Sequence, residues 1–357
     1  MIRSPLAVAL AAMLWAGAAP WRAEAPLTHP RGYVCYRAPS PIRVDGRLDD
    51  EAWREAAWTN DFVDIEGDVK PPPALRTRVK MLWDQSAFYI GAELVEPHLW
   101  ATLTEHDAVV FRDHDFEIFI DPNGDSHEYY ELEFNALGTT WDLLLPRPYK
   151  DGGKPINNWE IAGLKSAVYL DGTLNDGRDA DRGWSVELAL PWSALGELAR
   201  RPVPPHDGDQ WRVNFSRVEW PLDVSDGKYR KREGAKPFNW VWSPQHVVDM
   251  HRPERWGYVQ FSTGHRGAVR FEPDASLPAR HWLHLVYYAE RDYRKAHGRW
   301  ALTLEELKVL PPVDSMLAAA SLKVADSLFQ ASIEVAVGGG KTEHWNIRQD
   351  ALVWASQ

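Results

Sequence analysis

The sequence predicts a mainly β protein: an antiparallel β-sandwich of jelly-roll type, followed by a small C-terminal α+β appendage. Up to residue 262, short segments of alternating apolar and polar residues follow one another, with only two brief helix patterns between them. Clusters of Gly, Pro, Asn and Asp separate these segments, as is typical of the turns in antiparallel sandwiches. After Gly264 the apolar spacing changes to that of an α-helix, which indicates a separate unit.

The N-terminus predicts export. Arg3 precedes the apolar run from Leu6 to Ala19, which is short for a membrane-spanning helix, and Ala23-Glu24-Ala25 has the small-residue pattern of a cleavage site. We therefore expect residues 1–25 to be a secretory signal peptide. Cys35 is the only cysteine, so the chain has no internal disulfide, which for an exported protein favours the bacterial periplasm or exterior.

Charge and composition exclude several classes of partner. The net charge is −11, so neither nucleic acid nor an anionic membrane surface is an expected partner, and no membrane span is predicted. The sequence contains 19 Trp against 11 Phe. Trp offers a flat apolar face with one hydrogen-bond donor, which suits sugar rings as well as protein cores.

The predicted sandwich occupies residues 26–263. A strand, a turn and a short helix are expected between residues 42 and 58, and residues 77–83 and 88–95 predict a hairpin. Three further strands are predicted between Phe111 and Leu145. Beyond them we expect strands at residues 159–170, 183–190, 210–220, 240–242 and 256–262, and one short helix at residues 191–199.

The predicted appendage occupies residues 264–357, and the sequence contains no specific motif for its role. Residues 281–297 predict a helix that ends at Gly298. The apolar stripe expected on this helix consists of Trp282, Leu285, Ala289 and Tyr293. Thr303 and Glu306 have the spacing of a capping box, which predicts a second helix. Two strands are expected at residues 328–337 and 343–354, joined by three glycines.

The stretch from Phe111 to Leu145 is the predicted centre of the fold. Its first strand has apolar residues at every second position, so one face of the strand is expected in the core. Asn123-Gly124 then predicts a tight type I′ turn, because both residues tolerate positive φ. The return strand repeats the alternation, and a third strand is expected to follow it.

Pairing of the apolar faces would gather polar residues on the opposite face of this hairpin. That face would hold Glu117, Glu131, Glu133 and Asn135. Like charges across a hairpin repel, so a cation, an arginine or a hydroxyl-rich ligand is expected nearby, and Arg112 is the nearest candidate in sequence. The alternative interpretation is an ordinary solvated outer face.

Four motifs, in order, resemble the family 9 carbohydrate-binding modules of the DOMON-like superfamily. They span residues 42–262: Asp45-Gly46 with Asp49, Glu51 and Trp53; Val79 to Asp84 with Phe88-Tyr89-Ile90; Asp115 to Asp121; and Arg255-Trp256-Gly257. The resemblance implies a β-sandwich that holds the end of a sugar chain between two aromatic side chains. It also implies a protein that binds carbohydrate and assists polysaccharide or oligosaccharide breakdown without being an enzyme itself.

The resemblance also implies site residues. Glu117 matches a sugar-contacting glutamate, and the polar strand face matches the groups that contact hydroxyls. The chain departs from the family at three positions: Phe111 and Met250 replace the two clamp tryptophans, and Glu133 replaces an arginine. Trp141, Trp220 and Trp242 are candidates for replacement platforms.

Three other interpretations remain open. Related domains bind haem through Met with His or Lys, and Met250, His251, His246 and His114 are the candidates here for a noncovalent haem. Glu117 with Glu133 would be the minimal machinery of a glycoside hydrolase. A structural Ca²⁺ is possible in the hairpin turn, where Asp121, Asn123 and Asp125 alternate.

Overall fold

The computed structural model describes residues 28–309 and 319–356 of the chain. The expected signal peptide, residues 1–25, lies outside the described residues. The sandwich contains two short helices, α1 (Glu51–Glu55) and α2 (Trp192–Ala199). Its strands are β1 (Gly32–Arg37), β2 (Val63–Asp64), β3 (Thr77–Trp83), β4 (Ala87–Val95), β5 (Asp115–Asp121), β6 (Tyr129–Asn135), β7 (Thr140–Leu145), β8 (Lys165–Asp171), β9 (Gly183–Pro191), β10 (Gln210–Glu219), β11 (Leu222–Ser225), β12 (Lys228–Lys231), β13 (Phe238–Val241) and β14 (Gly257–Ser262).

Most of these strands form one curled sheet. Its order is β7-β6-β5-β10-β14-β1-β3-β4-β9-β8, with β13 and β2 attached beside β10, while β11 and β12 form a separate hairpin. Apolar residues of β5, β6 and β10 share a single core with those of β3, β4 and β9, so the sheet folds over itself into two layers. The predicted β-sandwich is therefore confirmed. Its pairing is mixed at one place, because β1 runs parallel to both β14 and β3.

Tryptophans fill the centre of this core. Trp192 packs edge-on against Trp83, Trp211 and Phe261, with ring centroids 5.7 to 6.3 Å apart. Trp53, Trp242 and Trp256 are also among the largest fully buried side chains. Much of the Trp excess therefore serves packing, and Trp242 is a core residue that cannot form a surface platform.

The central stretch forms the three expected strands, β5, β6 and β7. The prediction of a tight two-residue turn at Asn123-Gly124 is wrong, however, because a longer loop, residues 122–128, connects β5 to β6. The side chain of Asp121 organises this longer connection by accepting backbone N–H groups of Gly124 at 2.8 Å and Ser126 at 2.9 Å. A carboxylate with two backbone donors stabilises a wide loop that the Asn-Gly pair alone does not predict.

The C-terminal part has its own core. Helix α3 (Leu277–His297) packs on an antiparallel sheet, and its last turn ends at Gly298 with φ 73°. The remaining elements are α4 (Leu304–Leu307), β15 (Ser321–Ala325), β16 (Leu328–Gly338), β17 (Lys341–Arg348) and β18 (Val353–Ser356). The expected strand at residues 343–354 is thus two strands with a turn between them. The domain boundaries at residues 263 and 264 stay a prediction.

The C-terminal part docks on one end of the sandwich through polar contacts. Arg291 of α3 donates to Asp151 at 2.5 Å and to the carbonyl of Lys150 at 2.8 Å. His127, in the loop between β5 and β6, contacts the carbonyl of Asp350 at 2.7 Å. The contacts of Arg291 connect α3 to the loop after β7, and the contact of His127 connects the loop between β5 and β6 to the turn between β17 and β18. None of the described helices is long and apolar enough to cross a membrane.

Candidate functional site

The polar residues of the central hairpin share one face, as expected. Glu117 on β5 lies directly opposite Glu133 on β6, and Asp115 lies opposite Asn135. Glu131 lies opposite Phe119 on the same face. Three of the predicted site residues, Glu117, Glu131 and Glu133, are therefore close together, with Asp115 as a fourth carboxyl group.

This face is buried, so the alternative of an ordinary solvated surface is wrong for these residues. Glu117 and Glu131 are each 5% exposed, while Asp115 and Glu133 are almost fully enclosed. An apolar group that includes Val110, Trp141, Trp256 and Met250 covers the face. The residues that supply this cover come from loops and strands distant in sequence, which alternation along β5 and β6 does not reveal.

Burial sets the charge of the four carboxyls. It raises the pKa of Glu117 to about 7. Burial, with repulsion from Glu117, also raises the pKa values of Asp115, Glu131 and Glu133 well above the usual range. Arg112 is exposed, and its charge acts on Lys231; it is not among the main groups that shift the pKa of these carboxyls. The folded protein therefore holds protons on these carboxyls more tightly than the unfolded chain does.

Two oxygens of the cluster have no hydrogen-bond partner among the described residues. They are Oδ2 of Asp115 and Oε2 of Glu131, and both are shielded from solvent. A buried carboxyl oxygen without a partner carries a desolvation penalty of about 1 to 3 kcal/mol. Such atoms are suited to accept a hydrogen bond from a bound ligand.

Phe111 stands at the rim of this cluster. Its side chain is 40% exposed, and its ring lies 6.3 Å from the Trp141 ring at an angle of 35°. Its backbone N–H donates to Glu133 at 2.9 Å, and its carbonyl accepts a bond from Trp220 Nε1 at 2.9 Å. Phe111 and Trp141 therefore lie together beside Glu133. Their role as a sugar platform stays a prediction.

Tyr149 is a rim residue that the sequence analysis missed. Its side chain is 41% exposed, and its ring packs edge-on against His251 at 4.5 Å. Burial raises the pKa of Tyr149, and the nearby carboxyls of Glu131 and Glu133 raise it further. The only sequence signal is an aromatic residue that follows Pro148 in a loop, which does not place it beside the acid cluster.

Two other predicted site residues, Asn135 and Met250, make hydrogen bonds and packing contacts within the fold. Asn135 donates to the carbonyl of Leu103 at 2.8 Å and to Asp113 at 3.1 Å, and its Oδ1 accepts two loop N–H groups. Met250 packs in the apolar cover, where its carbonyl accepts a bond from Trp256 Nε1 at 2.8 Å. Asn135 thus secures the turn between β6 and β7, and Met250 contributes apolar cover.

The proposed calcium ligands serve the loop between β5 and β6. Asp125 accepts the N–H of His127 at 2.8 Å, and Asn123 accepts the N–H of Asp125 at 3.1 Å. Together with Asp121, these side chains stabilise the loop backbone. A calcium ion at this position stays a prediction.

A separate cleft of about 980 Å³ lies next to Trp220, which lines it together with His114, Phe238 and Trp240. His114 lies between Glu96 and Glu219, at 3.4 and 3.5 Å. The haem candidates are thus divided between two places, because Met250 and His251 pack with the aromatic cover of the acid cluster. His246 lies beside Gly67 in the loop before Met250.

Comparison with known proteins identifies one segment of the chain. Residues 44–203 match the model of a family described as carbohydrate family 9 binding domain-like. Over 197 residues, 54% of the chain, the sequence is 27% identical to the exoglucanase XynX of Acetivibrio thermocellus. Over the same length it is 24% identical to endo-1,4-beta-xylanase A of Thermoanaerobacterium saccharolyticum. The matches span only 16% and 14% of these two relatives.

The fold is similar to that of a solved structure. It is a protein of Bacteroides uniformis, provisionally described as carbohydrate-binding, which is 17% identical with a TM-score of 0.50. The match covers 65% of this chain and all of that chain. At this identity the likeness concerns the fold.

Proposed function

We propose that the protein is an exported, non-catalytic carbohydrate-binding protein, because residues 44–203 match the model of the carbohydrate family 9 binding domain-like family. It binds a sugar between Phe111 and Tyr149, above the carboxyls of Glu117, Glu131 and Glu133. Its role is accessory to the breakdown of polysaccharides or oligosaccharides. The expected signal peptide would bring it to the periplasm or the exterior of a bacterium.

One arrangement carries this proposal: two exposed aromatic side chains border carboxyl groups with unused hydrogen-bonding capacity. Phe111 donates its backbone N–H to Glu133, and Tyr149 lies near enough to Glu131 and Glu133 for these carboxyls to raise its pKa. A sugar ring has an apolar face that packs on aromatic rings and hydroxyls that donate to carboxylates. The partnerless oxygen of Glu131 is available for such a hydroxyl.

The shared environment of the carboxyls supports binding over hydrolysis. Asp115, Glu117 and Glu133 lie together in one buried cluster. Glycosidases keep one of their two carboxyls poised as an acid and the other ionised. Here burial raises the pKa of every member of the cluster, so no pair has divided roles.

A calorimetric titration of the purified chain tests the proposal. The panel contains glucose, xylose, cellobiose, xylobiose and longer oligosaccharides of both series. We expect saturable binding of at least one sugar, weakened about 2- to 12-fold in Phe111→Ala and in Tyr149→Ala, since an aromatic contact contributes about 0.5 to 1.5 kcal/mol.

The matched control is Phe238→Ala, because Phe238 is 50% exposed but lies at the other cleft. This variant is expected to bind as the unmodified protein does. If a cooperatively melting protein binds none of the sugars, or if only Phe238→Ala loses binding, the proposed site is wrong.

A further inference from the structure

We propose that His106, Asp107, Asp142 and Glu160 form a binding site for a divalent transition metal ion such as Zn²⁺. His106 and Asp107 lie in the loop before β5, Asp142 is on β7, and Glu160 lies in the loop before β8. Each residue offers one ligand atom, and these four atoms all lie within 4.8 Å of one another. The site is distinct from the acid cluster of the sugar proposal, with which it shares no residue.

The distances around His106 fit a tetrahedral ion. Its Nε2 lies 3.0 Å from Glu160 Oε1, 3.5 Å from Asp107 Oδ1 and 3.8 Å from Asp142 Oδ1. Zinc bonds to nitrogen and carboxylate oxygen are about 2.0 to 2.2 Å long, so neighbouring ligands of a tetrahedral ion are about 3.4 Å apart. The observed separations lie on both sides of this value.

Two of the four ligands, His106 and Asp142, are already oriented by hydrogen bonds. Nδ1 of His106 lies 2.9 Å from Thr140 Oγ1, and Nε2 donates to the carboxylate of Glu160 at 3.0 and 3.2 Å. A shift of the ring proton to Nδ1, from which it is donated to Thr140, leaves the lone pair of Nε2 free for a metal. Asp142 accepts the N–H of Ile161 through Oδ2 at 2.6 Å, so its Oδ1 remains directed at His106. A polar partner that fixes each ligand is the usual support of a protein metal site.

The three carboxylates of this cluster carry more negative charge than an ion pair with His106 would neutralise. An imidazolium would neutralise one carboxylate, as in the contact between His106 and Glu160, but Asp107 and Asp142 would remain. Asp142 is almost fully buried, and Oδ1 of Asp107 is shielded from solvent with no hydrogen-bond partner among the described residues. A bound divalent cation supplies the missing positive charge, and the half-exposed His106 leaves an entry path.

The imidazole of His106 indicates which class of metal ion the site would bind. Calcium and magnesium are bound by oxygen ligands, whereas zinc and its neighbours favour imidazole nitrogen combined with carboxylates. We therefore expect Zn²⁺ to bind more tightly than Ca²⁺.

The test is a titration of the chelator-treated, full-length protein with ZnCl₂ alone, followed by calorimetry and by metal analysis after gel filtration. We expect one equivalent of zinc, with affinity reduced at least 10-fold in His106→Ala and in Glu160→Gln. Thr140→Val is expected to weaken binding about 10- to 100-fold, because it removes only the group that orients the imidazole. His265→Ala is the control, since His265 is exposed and lies outside this cluster.

Each outcome decides the proposal. Zinc binding that is lost in the two ligand variants and kept in His265→Ala supports it, provided that all variants melt cooperatively without metal. Glu160 is exposed, so the Glu160→Gln variant is expected to fold normally. No binding by the unmodified protein, equal binding by all variants or tighter binding of CaCl₂ than of ZnCl₂ would overturn it. Equal binding would identify an adventitious surface ion only.

Discussion

The carboxylate of Glu133 accepts the backbone N–H of Phe111 at 2.9 Å, across 22 positions of sequence. This bond connects the floor of the candidate site to its aromatic rim. Glu133 is almost fully buried and lies opposite Glu117, so the same side chain positions Phe111 and contributes to the repulsion within the acid cluster.

The bond predicts different outcomes for two substitutions of Glu133. Glu133→Ala leaves the N–H of Phe111 without its acceptor, and we expect a loss of about 1 to 3 kcal/mol in the free energy of unfolding. Glu133→Gln keeps an acceptor and removes a carboxyl, so its stability at pH 8 should equal or exceed that of the unmodified protein. Urea unfolding of both variants checks this, and an equal loss in both would contradict the assigned role of the bond.

The raised pKa of Glu117 predicts a pH dependence. Because this pKa rises from 4.5 to about 7 on folding, the folded state binds the proton more tightly than the unfolded chain. Protonated Glu117 therefore contributes stability that is complete below pH 4.5 and is lost as the pH rises through 7. Relative to Glu117→Gln, the unmodified protein should lose roughly 2 to 3 kcal/mol between pH 5 and pH 8. Parallel stability profiles for the two proteins would show that Glu117 titrates normally.

The buried ion pairs of Arg217 predict that its replacement greatly lowers the stability of the protein. Its guanidinium is buried, donates to Glu96 at 2.6 Å and Glu219 at 2.9 Å, and also bonds to Thr77. Arg217→Ala leaves buried carboxylates without their cation, which costs about 3 to 5 kcal/mol. Thermal unfolding measures this loss.

The control for Arg217 is an ion pair at the surface. Arg178 is 79% exposed and lies 2.5 Å from Asp176, as close as the buried pair, but water screens it. Arg178→Ala should therefore leave the stability nearly unchanged. If the two alanine variants lose similar stability, burial does not determine the strength of these pairs.

The C-terminal part predicts an indirect effect on sugar binding. Arg291 of α3 holds Lys150 and Asp151, which directly follow the rim residue Tyr149. Arg291→Ala should free this loop and weaken sugar binding about 2- to 12-fold, because ordering a mobile side chain on binding costs about 0.5 to 1.5 kcal/mol. Lys295→Ala, an exposed position near the end of the same helix, should bind normally in the same titration. Unchanged sugar binding in both variants would show that α3 does not influence the candidate site.

Local alternation was sufficient to predict the centre of the fold. The apolar residues of β5 and β6 face the core, and this alternation places Glu117 and Glu133 on the same face. The connection at residues 122–128, which the Asn-Gly pair does not predict, sets the register that pairs the two residues. The helix α3 was predicted less well. Its buried residues include Leu283, Val286, Tyr287 and Glu290, whereas Leu285 and Ala289 are only half-buried, because the sheet beneath it covers a different stripe.

The rest of the site depends on contacts between segments distant in sequence. Tyr149 reaches the acid cluster because the loop after β7 is held by α3, some 140 residues later. The burial of Glu131 likewise depends on a cover that includes Trp256, from the end of the sandwich. No periodicity along the chain contains this information, so the sequence predicted the carboxyls of the site but missed their burial and half of their aromatic rim.

The most direct test of the proposed sugar site is a crystal structure of the full chain, determined from crystals soaked with the sugar that binds most tightly in the titration. We predict a sugar ring between Phe111 and Tyr149, with a hydroxyl about 3 Å from the carboxyl of Glu117 or Glu131. A sugar bound in the cleft lined by Trp220 and Phe238, with the acid cluster unchanged, would contradict it.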